Sequence, residues 1–156
     1  MSDLPKYIHH SILAFLVVFF SACNVTKHIP DDQLLYNGAE LHVISKSKVK
    51  GKADLKYKLE DVIEPKPNSA PLGIRFGLYW HYKAQKDSAG KIAKFLDKKF
   101  GEEPVFLSDV DPIRNESILN NRCENQGYFY PTIESKTVKK GKKAIIKYKV
   151  EVSKPY

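Results

Sequence analysis

The residues best suited to hold a metal or act as a nucleophile are five histidines (His9, His10, His28, His42, His81) and two cysteines (Cys23, Cys123). Their spacings match no metal-ligand pattern, and the chain has neither a glycine-rich phosphate loop nor a nucleophile elbow. Asp31-Asp32 and Glu102-Glu103 are adjacent carboxylates. Neighbours along a chain project apart, whereas acid–base work requires converged groups with shifted pKa values. The expectation is a binding protein and no enzyme, with no metal, cofactor or small-molecule substrate. Lysines 136, 139, 140, 142, 143, 147 and 149, beside Tyr128, Phe129 and Tyr130, have the chemistry to contact phosphates and stack on bases. A solvated face that protects a strand edge is the favoured account of them. An exported chain rarely meets nucleic acid, so no nucleic-acid partner is expected.

Export is indicated by the first residues. Lys6, His9 and His10 precede an apolar run over 12–20, and Ser21-Ala22 stand before Cys23. The run is far short of the ~20 residues a spanning helix needs, which favours a cleaved secretory signal over an uncleaved anchor or a core helix. Small residues before a cysteine resemble a bacterial lipobox. That resemblance implies a lipoprotein signal over 1–22, lipid attachment (palmitate-type acylation) at Cys23, and a membrane contact through the anchor. Residues 23–33 read as a tether without a fold of its own. Cys123 is then a lone, small, buried apolar residue; a Cys23–Cys123 disulfide is the competing reading, which lipidation forbids. The chain of 156 residues, 42% hydrophobic and 28% charged with a net charge of +8, suits one domain or two small ones once the signal is removed.

The positioning elements follow from periodicity. Asn37-Gly38 is a turn signal before a strand over 40–44, and Leu55, Leu59 and Val62 space a helix over 54–63 that Pro65 and Pro67 end. Residues 65–87 read as an aromatic loop carrying Phe76, Tyr79 and Trp80, which either packs on its own domain or makes contacts. A helix over 88–100 gathers Ile92, Phe95, Leu96 and Phe100 on one face. Asp111 as N-cap before Pro112 starts the last helix, and Gly127 as a left-handed C′ residue stops it. A hairpin closes the chain: one strand over 128–138, a turn at Lys139-Lys140-Gly141-Lys142, then Ala144, Ile146, Tyr148, Val150 and Val152 alternating with charge. Pro131 inside the first of these strands marks it as an edge.

The lipobox, the strand at 40–44, the helix leading to Lys66-Pro67-Asn68, Leu72-Gly73, and Asn125-Gln126-Gly127-Tyr128-Phe129 before a lysine-rich hairpin ending Lys154-Pro155-Tyr156 together resemble a known family region. It is the N-terminal region of lipoproteins in the outer-membrane insertase superfamily, the BamA/TamA-like proteins. The resemblance implies an α+β fold: a polypeptide-transport-associated (POTRA) domain, ordered β-α-α-β-β, with an additional helix and a small mixed three-stranded sheet packed on helices. It assigns 34–156 to that domain, with an insertion over 65–100. The family's membrane β-barrel is absent, as in an N-terminal piece of a longer protein. The implied place is the outer membrane, lipid-anchored and facing the periplasm. The implied partners are unfolded outer-membrane proteins or assembly-complex subunits, bound by strand addition. Partner contacts are expected at Tyr128, Phe129, Tyr130 and Ile133, and at Phe76, Tyr79 and Trp80; Gly127 and Asp111 are expected to be structural. The alternative is a structural envelope lipoprotein that binds anionic lipid or another envelope protein through the aromatic loop and basic face.

Overall fold

Alternation in the last strand dictates the sheet: Ala144, Ile146, Tyr148, Val150 and Val152 are all buried, and lysines occupy positions between them. The computed structural model describes residues 25–45 and 51–153, so the expected signal and Cys23 lie outside the described residues. The fold is α+β, with helices packed against a small mixed three-stranded sheet. The described residues form two compact units, a sheet unit (29–45, 51–68 and 104–153) and a helical unit (25–28 and 69–103).

The sheet unit runs β1 (Leu35–Ser45), α1 (Lys52–Asp61), α4 (Pro112–Asn125), β2 (Thr132–Lys140) and β3 (Lys143–Val152). Its strand order is β1-β3-β2, with β1 parallel and β2 antiparallel to β3. One core joins Leu41 and Val43 of β1, Leu55 and Leu59 of α1, Leu119 and Cys123 of α4, and the inward side of β3.

The expected turn at Asn37-Gly38 is instead a bulge inside β1. Tyr36 pairs with Ala144 and Ala39 with Ile146, so β1 carries one extra residue. Side chains alternate with a period of two, so that insertion brings Tyr36 to the same core as Leu41 and Val43. Gly38 accommodates it at φ 105°, where a Cβ would stand 3.3 Å from the Pro67 ring.

Asp111 caps α4 as expected, its carboxylate accepting from the Arg114 N–H at 3.0 Å. At the other end Gly127 takes φ 82°. The Tyr128 N–H donates to the Cys123 carbonyl at 3.0 Å and the Gly127 N–H to that of Glu124 at 2.9 Å, a Schellman closure. This closure corrects the strand expected over 128–138. Tyr128 is engaged by the helix end and Tyr130 is left-handed at φ 57°, so β2 begins only at Thr132. Pro131 therefore precedes the strand and does not interrupt it.

The helical unit corrects the aromatic loop. After a short 3-10 turn at Pro71–Gly73, residues Phe76–Ala84 form α2, which packs on α3 (Lys91–Phe100). Two helices thus stand where one was expected. Gly77 permits close approach of the Glu102 side chain, whose carboxylate also accepts from the Ser69 N–H at 2.9 Å. The proposed tether is also structured: Val25–His28 make a 3-10 turn with Val25 buried, and His28 stacks on Tyr82 at 5.1 Å. Ile29 is buried in the sheet unit, where the Lys142 ammonium donates to its carbonyl at 3.3 Å. Two apolar residues in an otherwise polar stretch explain why it packs.

Burial pushes the Cys123 thiol up to about 11 and the Tyr36 phenol up to about 12. Both keep their protons when folded at pH values where the unfolded chain releases them, so stability falls as pH rises. The Cys123 contribution is whole below about pH 9 and is lost as pH passes about 11. Urea midpoints are expected to fall between about pH 8 and about pH 10.5, less steeply in Cys123→Ala. An unchanged slope in that variant would remove Cys123 from the account.

Candidate peptide-binding edge

A two-residue turn, Gly141-Lys142, joins β2 to β3, with Gly141 at φ 57°. Glycine at the first central position suits a type II′ turn, whose twist matches the strands it joins. Such a turn fixes the phase of the ladder. Lys140 and Lys143 flank it as a mutually bonded pair, and every second pair back along the hairpin repeats that bonding. The intervening β2 residues, Ile133, Ser135, Thr137 and Lys139, therefore direct their N–H and C=O groups away from β3.

Among the described residues, β2 has a strand on that one side only. The outer side of β1 differs, because its first residues are occupied. The Tyr36 N–H donates to the Val105 carbonyl at 2.9 Å and the Leu107 N–H to that of Leu34 at 2.8 Å. The two edges are thus unequal: β1 is occupied at its start, whereas among the described residues no strand lies along the outer row of β2.

The side chains around that row divide by face. Ile133, Ser135 and Thr137 pair with Val150, Tyr148 and Ile146, on the side of the core. The opposite face carries a shallow groove of ≈ 680 Å³ lined by His42, Ile44, Glu134, Lys136, Lys147 and Lys149. Its charges are partly matched: Lys147 meets Glu40 at 2.8 Å, and Lys149 lies 3.3 Å from Glu151 and 3.9 Å from Glu134. The Lys147 hydrogen bond holds the Glu40 carboxyl below its ordinary range. These pairs are exposed and contribute little to stability.

The expected contact residues separate. Tyr128 is only 6% exposed and belongs to the core, which removes it from the partner surface. Ile133 is partly buried within β2. Phe129 is half-exposed and Tyr130 is 93% exposed, both in the segment entering the strand. Phe76, half-exposed, lies on α2 of the helical unit with Tyr79 and Trp80, which meet edge to face at 5.1 Å, and Lys83 sits over both rings. Ser135, Thr137 and Lys139, whose backbone groups face away from β3, are not among the individually expected contact residues, although counting back in twos from a two-residue turn finds them.

Among the described residues no three His, Cys, Asp or Glu side chains converge as metal ligands, and no helix is long and apolar enough to cross a membrane. What fold and edge define is an α+β protein with an open, basic edge strand. Neither a family model, nor a curated protein, nor a solved structure matches the chain.

Proposed function

We propose that this chain is a lipid-anchored, periplasm-facing POTRA module of an outer-membrane assembly or insertion factor, binding unfolded clients or partner subunits by strand addition along β2. The observation that carries the binding step is the one-sided pairing of β2. An extended segment laid beside it finds alternating donors and acceptors at Ile133, Ser135, Thr137 and Lys139, which give affinity with little demand on sequence. The order strand, helix, helix, strand, strand within the sheet unit supports the POTRA assignment. The lipid anchor rests on the sequence around Cys23. No chemistry on the client is part of the proposal.

Titration of the isotope-labelled protein with an extended, strand-forming peptide tests it. Backbone amide shifts are expected at Ser135 and Thr137, with smaller shifts at their inward-bonded neighbours. Shifts confined to 76–82 would instead favour a structural lipoprotein that makes its contacts through α2.

A further inference from the structure

The apolar face expected of α3 is divided by the way the helix packs. At about 100° per residue, Ile92, Phe95, Leu96 and Phe100 share one broad arc. Little of that arc is used: Leu96 is half-buried beside buried Ala93, whereas Ile92 is 74%, Phe95 63% and Phe100 54% exposed. Asp97 lies on the packed side, 3.6 Å from the His81 ring. Around the outward arc the order is Lys94, Lys98, Lys91, Phe95, Lys99 and Ile92. Every charge on that arc is positive.

We infer that the outward face of α3 is an interfacial membrane site: Phe95 and Ile92 enter the headgroup and acyl boundary of an anionic bilayer while Lys91, Lys94, Lys98 and Lys99 hold its phosphates. Charge complementarity selects this occupant. Four exposed lysines flank the two apolar side chains, and lysine stems can lie along the acyl boundary with their ammonium groups in the headgroup layer. A partner protein's groove would need apolar anchors repeated at i, i+3, i+4 and i+7. Here the exposed apolar side chains are Ile92, Phe95 and, at the C-terminal end of the helix, half-exposed Phe100, and Lys99 stands at the i+7 anchor position counted from Ile92. A convex helix with isolated apolar side chains between cations fits a fluid, laterally continuous surface. With ten residues, α3 lies on such a surface and does not span it. This site is independent of strand addition at β2, and either can fail without the other.

The test uses the full chain and a reporter that speaks only for α3. Trp80 is the single tryptophan, so Trp80→Phe with Phe95→Trp moves the fluorophore to the outward face. With vesicles containing phosphatidylglycerol, emission is expected to shift to the blue and to be quenched by brominated acyl chains. With phosphatidylcholine alone neither change is expected. Changing Lys91, Lys94, Lys98 and Lys99 to glutamine should weaken the response roughly a hundredfold or more. Emission that stays water-like while the chain sediments with anionic vesicles overturns the inference, because binding then lies elsewhere. Equal immersion in both vesicle types overturns it as well, as does a response to a single-stranded oligonucleotide at lower concentration than to vesicles. Should Phe95→Trp fail to fold by circular dichroism, Ile92→Trp in the same background carries the same readout.

Discussion

Asn115→Leu is expected to destabilise the sheet unit by about 3 kcal/mol, lowering its melting temperature by on the order of 10 °C. Asn115 lies on α4 but is buried with Leu119 and Cys123. Its amide is fully engaged: the Oδ1 accepts from the Glu64 N–H at 3.1 Å, and the Nδ2 donates to the Glu64 carbonyl at 2.6 Å and to the Tyr148 hydroxyl at 3.1 Å. Leucine has similar volume, so the loss is polar rather than steric. It strands a donor, an acceptor and a hydroxyl at once, each costing about 1–3 kcal/mol where burial is complete and less where it is partial. The coupling is checkable. Tyr148→Phe alone is expected to cost about 1 kcal/mol, and less than that in the Asn115→Leu background, where the hydroxyl is already without its partner. Simple additivity in chemical denaturation would mean that the amide and the phenol do not cooperate.

Ser135→Pro is expected to weaken binding of an extended client by roughly thirtyfold, corresponding to about 2 kcal/mol, with folding stability changed by no more than about 1 kcal/mol. The N–H of Ser135 faces the open side of β2, so proline there removes no bond to β3 and sets a ring where the incoming strand must lie. Lys136→Pro is the matched comparison. Lys136 pairs with Lys147 in a bonded position, so proline there deletes a ladder donor and is expected to cost about 2 kcal/mol or more of stability. Calorimetric titration and thermal melts of both variants separate backbone pairing from general weakening. Undiminished binding by Ser135→Pro would sink strand addition at this edge, whatever the melt shows.

The edge was only half legible beforehand. Pro131 had suggested it, yet Pro131 lies outside the strand, and the sheet order makes β2 an edge for an unrelated reason. The free backbone row could have been counted from Gly141, but that β2 pairs with nothing else required all three strands. Asn115 also left a signal in the sequence. It stands four and eight residues before Leu119 and Cys123, so a polar side chain on that face had to be buried and paired. Its partners, Glu64 and Tyr148, are 51 and 33 residues away and no local pattern names them.

Taken alone, the sequence determined whatever depends on groups a few residues apart. It placed the Asp111 cap, Pro112, the Gly127 stop, the glycine turn at 141 and the alternation from Ala144 to Val152, because capping and side-chain period are settled within one or two turns of chain. Tertiary structure decided the rest. Parallel pairing of β1 with β3 brings together segments about a hundred residues apart, and only that register turns Asn37-Gly38 from a turn into a bulge. The helix α2 forms in an aromatic segment whose punctuation argued for a loop, and packing left Ile92 and Phe95 of α3 outward. In each case the free energy that selects the outcome is burial against distant residues, which local periodicity does not encode.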